Sequence, residues 1–147
     1  RQVSCSVAKR WRNELVGKNF RFSYDLTEMT SAEFTFCKDI LEKYKIPYFF
    51  QMKKYDKYLV DFDLGFNILV EIQGTYWHSS KKKKMIDKEK KFFLESHGEK
   101  IFYANEEDLN NNIEILTKEF LNFYLRSLYQ EIDKISNLVN LKNQGVV

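Results

Sequence analysis

Apolar and polar positions follow two different periods along this chain, and the changes of period mark the element boundaries. From Thr30 onward Phe34, Cys37, Ile40, Leu41 and Tyr44 fall at helical spacing. Thr30-Ser31-Ala32-Glu33 has the form of a capping box, with Thr30 at the N-cap and Glu33 at N3. Pro47 marks the end of that helix. Strand-like segments follow: an aromatic-rich run from Tyr48 to Lys53, then Tyr58 to Leu64 and Ile68 to Gln73. Lys54 to Lys57 reads as a polar turn, and Gly65-Phe66-Asn67 as a tight hairpin. The helical period returns from about Lys81 to His97, with Gly98 as C-cap. Lys100 to Ala104 reads as a fourth strand. From Asp108 to about Leu138 one or two helices carry a stripe of Ile113, Leu116, Phe120, Tyr124, Leu128 and Ile132. The order of helix, three strands, helix, strand and helix predicts an α/β fold, in detail an α+β mixed sheet flanked by helices. Residues 1–29 are mixed, basic and aromatic, with no clear period.

The hairpin carries the candidate chemistry. In its first strand Tyr58, Val60, Phe62 and Leu64 point one way, and Leu59, Asp61 and Asp63 the other. In its second strand Leu69, Glu71 and Gln73 share a face. A three-residue loop pairs Leu64 with Ile68, and counting back sets Asp61 opposite Glu71. Adjacent carboxylates on a sheet repel each other, and a cation between them removes the penalty. Hard oxygen ligands suit Mg²⁺, which keeps several waters and takes one or two protein carboxylates. A metal so held polarises a phosphoryl oxygen and generates hydroxide near neutral pH. The plainer reading is two solvated acids on an exposed sheet face. A registered pair beside the amide of Gln73 favours the metal reading.

Composition bounds the rest. The chain has 147 residues, 44% hydrophobic and 16% aromatic, enough for one domain with a real core. Its two cysteines, Cys5 and Cys37, have no metal-ligand spacing. Two free thiols in a reducing cell is the plain reading, and a single bridge in a secreted protein is the alternative. No apolar run approaches a membrane span and no signal-peptide pattern opens the chain, so an intracellular, cytoplasmic protein is expected. The first residue is Arg1, which suggests a fragment of a longer protein. The net charge of +3 is a weak indicator of a polyanionic partner. Its distribution says more. Residues 1–30 carry six basic and three acidic side chains, residues 31–104 fourteen and eleven, and residues 105–147 four and seven. A polyanion should meet the front and middle of the chain.

Several segments together carry a family resemblance. Val60-Asp61-Phe62 followed by Ile68-Leu69-Val70-Glu71-Ile72-Gln73-Gly74 resembles the Asp…(Asp/Glu)-x-Lys core of the PD-(D/E)xK nuclease superfamily. Gly74-Thr75-Tyr76-Trp77-His78 resembles the Gly-x-aromatic-Trp-His segment of very-short-patch repair endonucleases and the related phage homing endonucleases, in a bacterial or phage-host cytoplasm. The match spans roughly residues 30–108, with an upstream helix acid at Glu33 and a downstream series of Asp87, Lys91, Leu94 and Gly98. It implies a restriction-endonuclease-like nuclease core over 30–108, an N-terminal segment over 1–29 and a C-terminal helical extension over 109–147. It further implies a Mg²⁺ site, with Mn²⁺ as substitute, held by Asp61, Glu71 and the Ile72 carbonyl. The superfamily lysine is here Gln73, where repair endonucleases have histidine. Glutamine can orient a water or hydrogen-bond a phosphate but carries no charge. His78 or a lysine of the following helix is then expected to supply what Gln73 lacks.

Each supporting residue has a plainer alternative. Glu33 resembles the first-helix acid of the group and also satisfies the capping box. His78 resembles a general acid/base, against a packing role after a turn. Asp87 resembles an acid of the homing enzymes, but suits salt bridges on a lysine-rich helix. Trp77 and Tyr76 suit base stacking or the core, Asp63 is a second carboxylate on the Asp61 face, and His97 suits a helix end. Lys81, Lys82, Lys83, Lys84, Lys88, Lys90 and Lys91 follow His78 directly and suit phosphate contacts, against an ordinary solvated face. Arg10, Arg12, Lys18 and Arg21 with Trp11 and Phe20 form a second candidate contact. The expectation is a Mg²⁺-dependent endodeoxyribonuclease acting on double-stranded DNA, the catalytic domain of a homing-type enzyme. The rivals are a mismatch-repair or restriction-type endonuclease, a non-catalytic DNA-binding module on the same fold, and an interaction protein whose C-terminal helices pair with another subunit. A homodimer or an additional DNA-binding domain in the full-length protein is the expected assembly.

Overall fold

The computed structural model describes residues 29–74 and 81–145. The readings of residues 1–28 and of Thr75 to His78, His78 itself included, lie outside the described residues. The capping box forms as expected. The Thr30 amide donates to Glu33 Oε1 at 3.1 Å and the Glu33 amide to Thr30 Oγ1 at 3.2 Å. This starts α1, Ser31–Phe36, which continues as a π-helical stretch over Cys37–Glu42. The wider π turn still buries Cys37, Ile40 and Leu41 completely, but it rotates Tyr44 out to 45% exposure, so the expected α-helical stripe ends early. Cys37 is disulfide-bonded, which corrects the reading of free thiols.

Four strands follow as one mixed sheet: β1 Phe49–Lys54, β2 Tyr58–Gly65, β3 Ile68–Gln73 and β4 Lys100–Asn105. Their spatial order is β1-β2-β3-β4, antiparallel up to β3 and parallel from β3 to β4. The parallel pair is joined through α2, Lys81–Ser96, whose last turn closes on Gly98 at φ +87°. After β4 come α3, Glu106–Asn111, and α4, Ile113–Asn143.

The helices cover both faces of the sheet. On one face Phe36, Ile40 and Leu41 meet Phe62, Ile68 and Val70 of the sheet and Leu116 and Phe120 of α4. Phe62 lies at its centre, with the rings of Phe36, Tyr48 and Phe50 at 5.6, 5.5 and 5.4 Å, spacings at which aromatic pairs attract. On the other face a smaller cluster joins Val60 and Leu69 to Leu94, the single buried residue of α2. The α4 stripe holds through Leu128 and ends there, because Ile132 is 56% exposed.

The hairpin differs from the count made on its sequence. Phe66 and Asn67, both at positive φ, form a two-residue turn, and Gly65 pairs with Ile68. The register then shifts across Leu64, so Asp63 faces Leu69 and Phe62 faces Val70. One bulged residue thus offsets the shorter loop. The register below the bulge is the one that the longer loop predicted.

Candidate active site

The β2–β3 ladder parts where the acids begin. Its last registered pair is Phe62 with Val70, although both strands continue. One further step would set Asp61 across from Glu71. There the Ile72 amide donates to Asp61 Oδ2 at 2.8 Å, so a carboxylate takes the place of a ladder acceptor. On the other side of β2 the backbone of Gln51 in β1 has φ +57°. Its amide Nε2 donates to Asp61 Oδ1 at 3.2 Å and to Glu33 Oε2 at 3.3 Å. Glu33 therefore caps α1 through one oxygen and reaches the Asp61 site through the other.

The electrostatics oppose a charged Asp61. Burial pushes its carboxyl up to about 7, and the Glu71 charge adds to the shift, while the Ile72 hydrogen bond and the Lys90 charge work against it. Burial raises Glu33 as well, and the Asp61 charge adds to it against the hydrogen bonds from Thr30 and Gln51. Lys90 of α2 forms an ion pair with Glu71 Oε1 and donates to the Leu59 carbonyl at 2.6 Å. Across the parallel pair from Glu71 stands Tyr103. Burial, with the charges of Glu71, Glu95 and Asp87, raises its hydroxyl above the usual range. It is a neutral hydrogen-bonding group at neutral pH.

These groups line an open cleft of about 610 Å³ between β3 and α2. Its sheet wall holds Asp61, Glu71, Ile72, Gln73 and Tyr103. Its helix wall holds Lys83, Lys84, Asp87, Lys88, Lys90, Lys91 and Leu94. Most of the expected site is thus brought together. Lys81 and Lys82 are exposed and do not line the cleft. Asp63 is not part of it, being bonded to Lys54 and the Gly65 amide. Another groove, of about 430 Å³, lies between the π-helical stretch and α4, but its charged residues Asp39, Lys43, Glu114 and Lys118 are all exposed. Among the described residues no three His, Cys, Asp or Glu side chains converge as a metal-holding group. No helix among them is long and apolar enough to cross a membrane.

Two contributors were not expected from the sequence, Gln51 and Tyr103, and neither was the pairing of Lys90 with Glu71. Lys90 had a signal, since Leu94 marks the sheet-facing side of α2 and steps of four and seven residues back reach Lys90 and Asp87. Tyr103 needed the parallel β3–β4 register. Gln51 had none, because a left-handed glutamine inside a strand has no composition cue.

No family model matches the chain, and no curated protein matches it. Among solved structures it is similar to the catalytic domain of the homing endonuclease I-Bth0305I, with 28% identity and a TM-score of 0.59, over 67% of this chain and 98% of that one.

Proposed function

We propose that this chain is a metal-dependent DNA endonuclease unit that hydrolyses phosphodiester bonds in double-stranded DNA. The observation that carries the reading is Asp61, half-buried beside Glu71 at a break in the sheet, in a cleft walled by lysines. A carboxylate placed against its own electrostatic interest in a cleft is the mark of a functional site. The similarity to a homing endonuclease catalytic domain supports the same reading and favours a homing-type enzyme over a mismatch-repair or restriction enzyme.

The donor set suits a hard divalent ion. Asp61 and Glu71 offer oxygen only, and Mg²⁺ needs no more than one or two protein carboxylates; the Ile72 carbonyl is a further oxygen for it, and Glu33 stands one hydrogen-bond link behind, through Gln51. When bound, Mg²⁺ or Mn²⁺ supplies Lewis-acid polarisation of the phosphate and lowers the pKa of water. The chain's own groups do the rest. Gln73 orients the attacking water, which adds to phosphorus as the bond to the leaving oxygen breaks. Lys90 stands as a fixed cation beside Glu71, in the role that lysine has in the Asp…(Asp/Glu)-x-Lys core, and stabilises charge developing on the phosphoryl oxygens. Tyr103 remains a proton donor at the cleft wall. Lys83, Lys84, Lys88 and Lys91 hold the flanking backbone without reading bases, with Asp87 set among them. His78 is the proposed acid that protonates the leaving oxygen.

Plasmid cleavage in Mg²⁺ tests this reading. Asp61→Asn and Glu71→Gln should each lower the rate by about 10³-fold, the several kcal/mol that such charge stabilisation is worth. Wild-type rates in either variant would sink the assignment. Salt-sensitive DNA binding without cleavage in any metal would instead identify a non-catalytic binding module.

A further inference from the structure

Six non-glycine residues among those described have positive φ: Lys45, Gln51, Tyr55, Asp56, Phe66 and Asn67. Five of them lie in turns, where such backbone is ordinary. Gln51 alone lies inside a strand. The left-handed region is disfavoured for a residue with a Cβ, and persists where the surroundings enforce it. The register of the sheet does not require the kink by inserting a residue. Phe50 faces Phe62 and Met52 faces Val60, so the count is continuous on both sides of Gln51. What the kink does accomplish is chemical: it places one amide against two acids from different elements, Glu33 at 3.3 Å and Asp61 at 3.2 Å.

We infer that Gln51 is a positioning residue, held in a strained backbone so that its amide ties Glu33 of α1 to Asp61 of β2 and fixes the Asp61 carboxylate where the metal would meet it. The inference rests on the nuclease reading and extends it to a residue that contacts neither phosphate nor water in the proposed reaction. A bond from Gln51 fixes the carboxylate oxygens that a cation must meet, as outer-shell hydrogen bonds do in metal sites. Left without the amide, Glu33 keeps its capping bond to Thr30 but loses its link to Asp61.

Glycine isolates the side chain from the kink, because it adopts positive φ freely and keeps the strand path. Mn²⁺ binding to the full chain, followed by calorimetric titration, reads the effect without relying on turnover. Gln51→Gly should weaken Mn²⁺ binding by about tenfold, the lower end of what removing an outer-shell partner costs. Glu33→Gln should do the same, and the double variant should be no worse than either single one, because both changes break the same Glu33–Gln51–Asp61 chain. The melting temperature of Gln51→Gly should stay within about 2 °C of wild type, as relief of strain offsets the lost bonds. Mn²⁺ affinity within twofold of wild type would overturn the inference, and so would additive losses in the double variant. A wild-type chain that binds no Mn²⁺ would overturn the metal reading and this inference together. A wild type that binds and cleaves beside an indistinguishable Gln51→Gly would overturn the inference alone.

Discussion

Asp61 and Asp63 lie two residues apart on β2, the first half-buried and the second buried, yet their surroundings treat their charge in opposite ways. Asp63 accepts from Lys54 Nζ at 2.9 Å and from the Gly65 amide at 3.0 Å. Lys54 also lies 3.2 Å from Glu99, which accepts from the Tyr55 hydroxyl at 3.1 Å. Burial works against the Lys54 charge, but the bonds and charges of Asp63 and Glu99 outweigh it and hold its pKa above the ordinary value. Lys54 thus bridges two buried acids, as buried charges need when they serve structure, although Glu99 Oε2 has no hydrogen-bond partner among the described residues. Asp61 has donors from Ile72 and Gln51, but the nearby cation, Lys90, pairs with Glu71. Asp61 thus sits between two acids, Glu33 and Glu71, with its carboxyl pushed up to about 7. One strand therefore carries a structural acid and an acid whose nearby cation is engaged by another carboxylate, and the second is the one to which the proposed function assigns the metal.

Exchanging each acid for its amide should separate the two roles, and this is the largest contrast expected. Asp61→Asn should lose cleavage by about 10³-fold, the loss of metal-linked charge stabilisation, while folding as stably as wild type. Asp63→Asn should keep cleavage within about threefold and lose on the order of 2 kcal/mol of stability, because Lys54 loses one of its two buried partners. Rates on plasmid and chemical denaturation of the same samples give both readouts. If Asp63→Asn abolished cleavage at wild-type stability, the division between the two acids would be wrong.

The lysines sharpen the same contrast at a smaller scale. Lys90→Met keeps the stem that packs along α2 and removes only the charge. It should slow cleavage by about 10²-fold, near what one preorganised electrostatic contact contributes, with little change in stability. A larger effect on stability than on rate would make Lys90 the counterpart of Lys54, a structural cation beside Glu71.

Much of this arrangement was legible in the sequence because it depends on local rules. The capping box placed Glu33, and strand alternation placed Asp61 and Glu71 on one face. The hairpin register came out right for a mixed reason. The loop is one residue shorter than counted, and the bulge at Leu64 restores the count. What the sequence did not disclose depends on non-local structure. Seven lysines on α2 look alike until the burial of Leu94 selects which of them face the sheet. Tyr103 joins the site only through parallel pairing with β3. The π turn over Cys37–Glu42 keeps nearly the same apolar spacing as an α-helix, so periodicity could not tell them apart. The backbone of Gln51 is imposed by the acids and strands around it and has no trace in its residue type.

The smallest expected effect concerns pH and separates the two acids by thermodynamics alone. Asp61 has its folded pKa raised to about 7 from an ordinary value of 3.8. Between those limits the unfolded chain has released the proton and the folded chain retains it, so folding stability falls as pH rises. The contribution is fully present below about pH 4 and is lost as pH passes through 7. Making a carboxyl a tenfold weaker acid in the folded state corresponds to about 1.4 kcal/mol. Because solvent in the open cleft screens part of this effect, a net loss of about 1–2 kcal/mol between pH 5 and 8 is expected in metal-free protein. Asp61→Asn should remove that slope, while Asp63→Asn should leave it in place. Mg²⁺ binds the ionised carboxylate, so 10 mM Mg²⁺, on the order of a saturating concentration for such a site, should raise the melting temperature at pH 8 far more than at pH 5. Denaturation of wild type and both variants at the two pH values, with and without Mg²⁺, measures all of this. Equal slopes in wild type and Asp61→Asn would show that the surroundings of Asp61 do not oppose its charge, and the contrast between the two acids would fail.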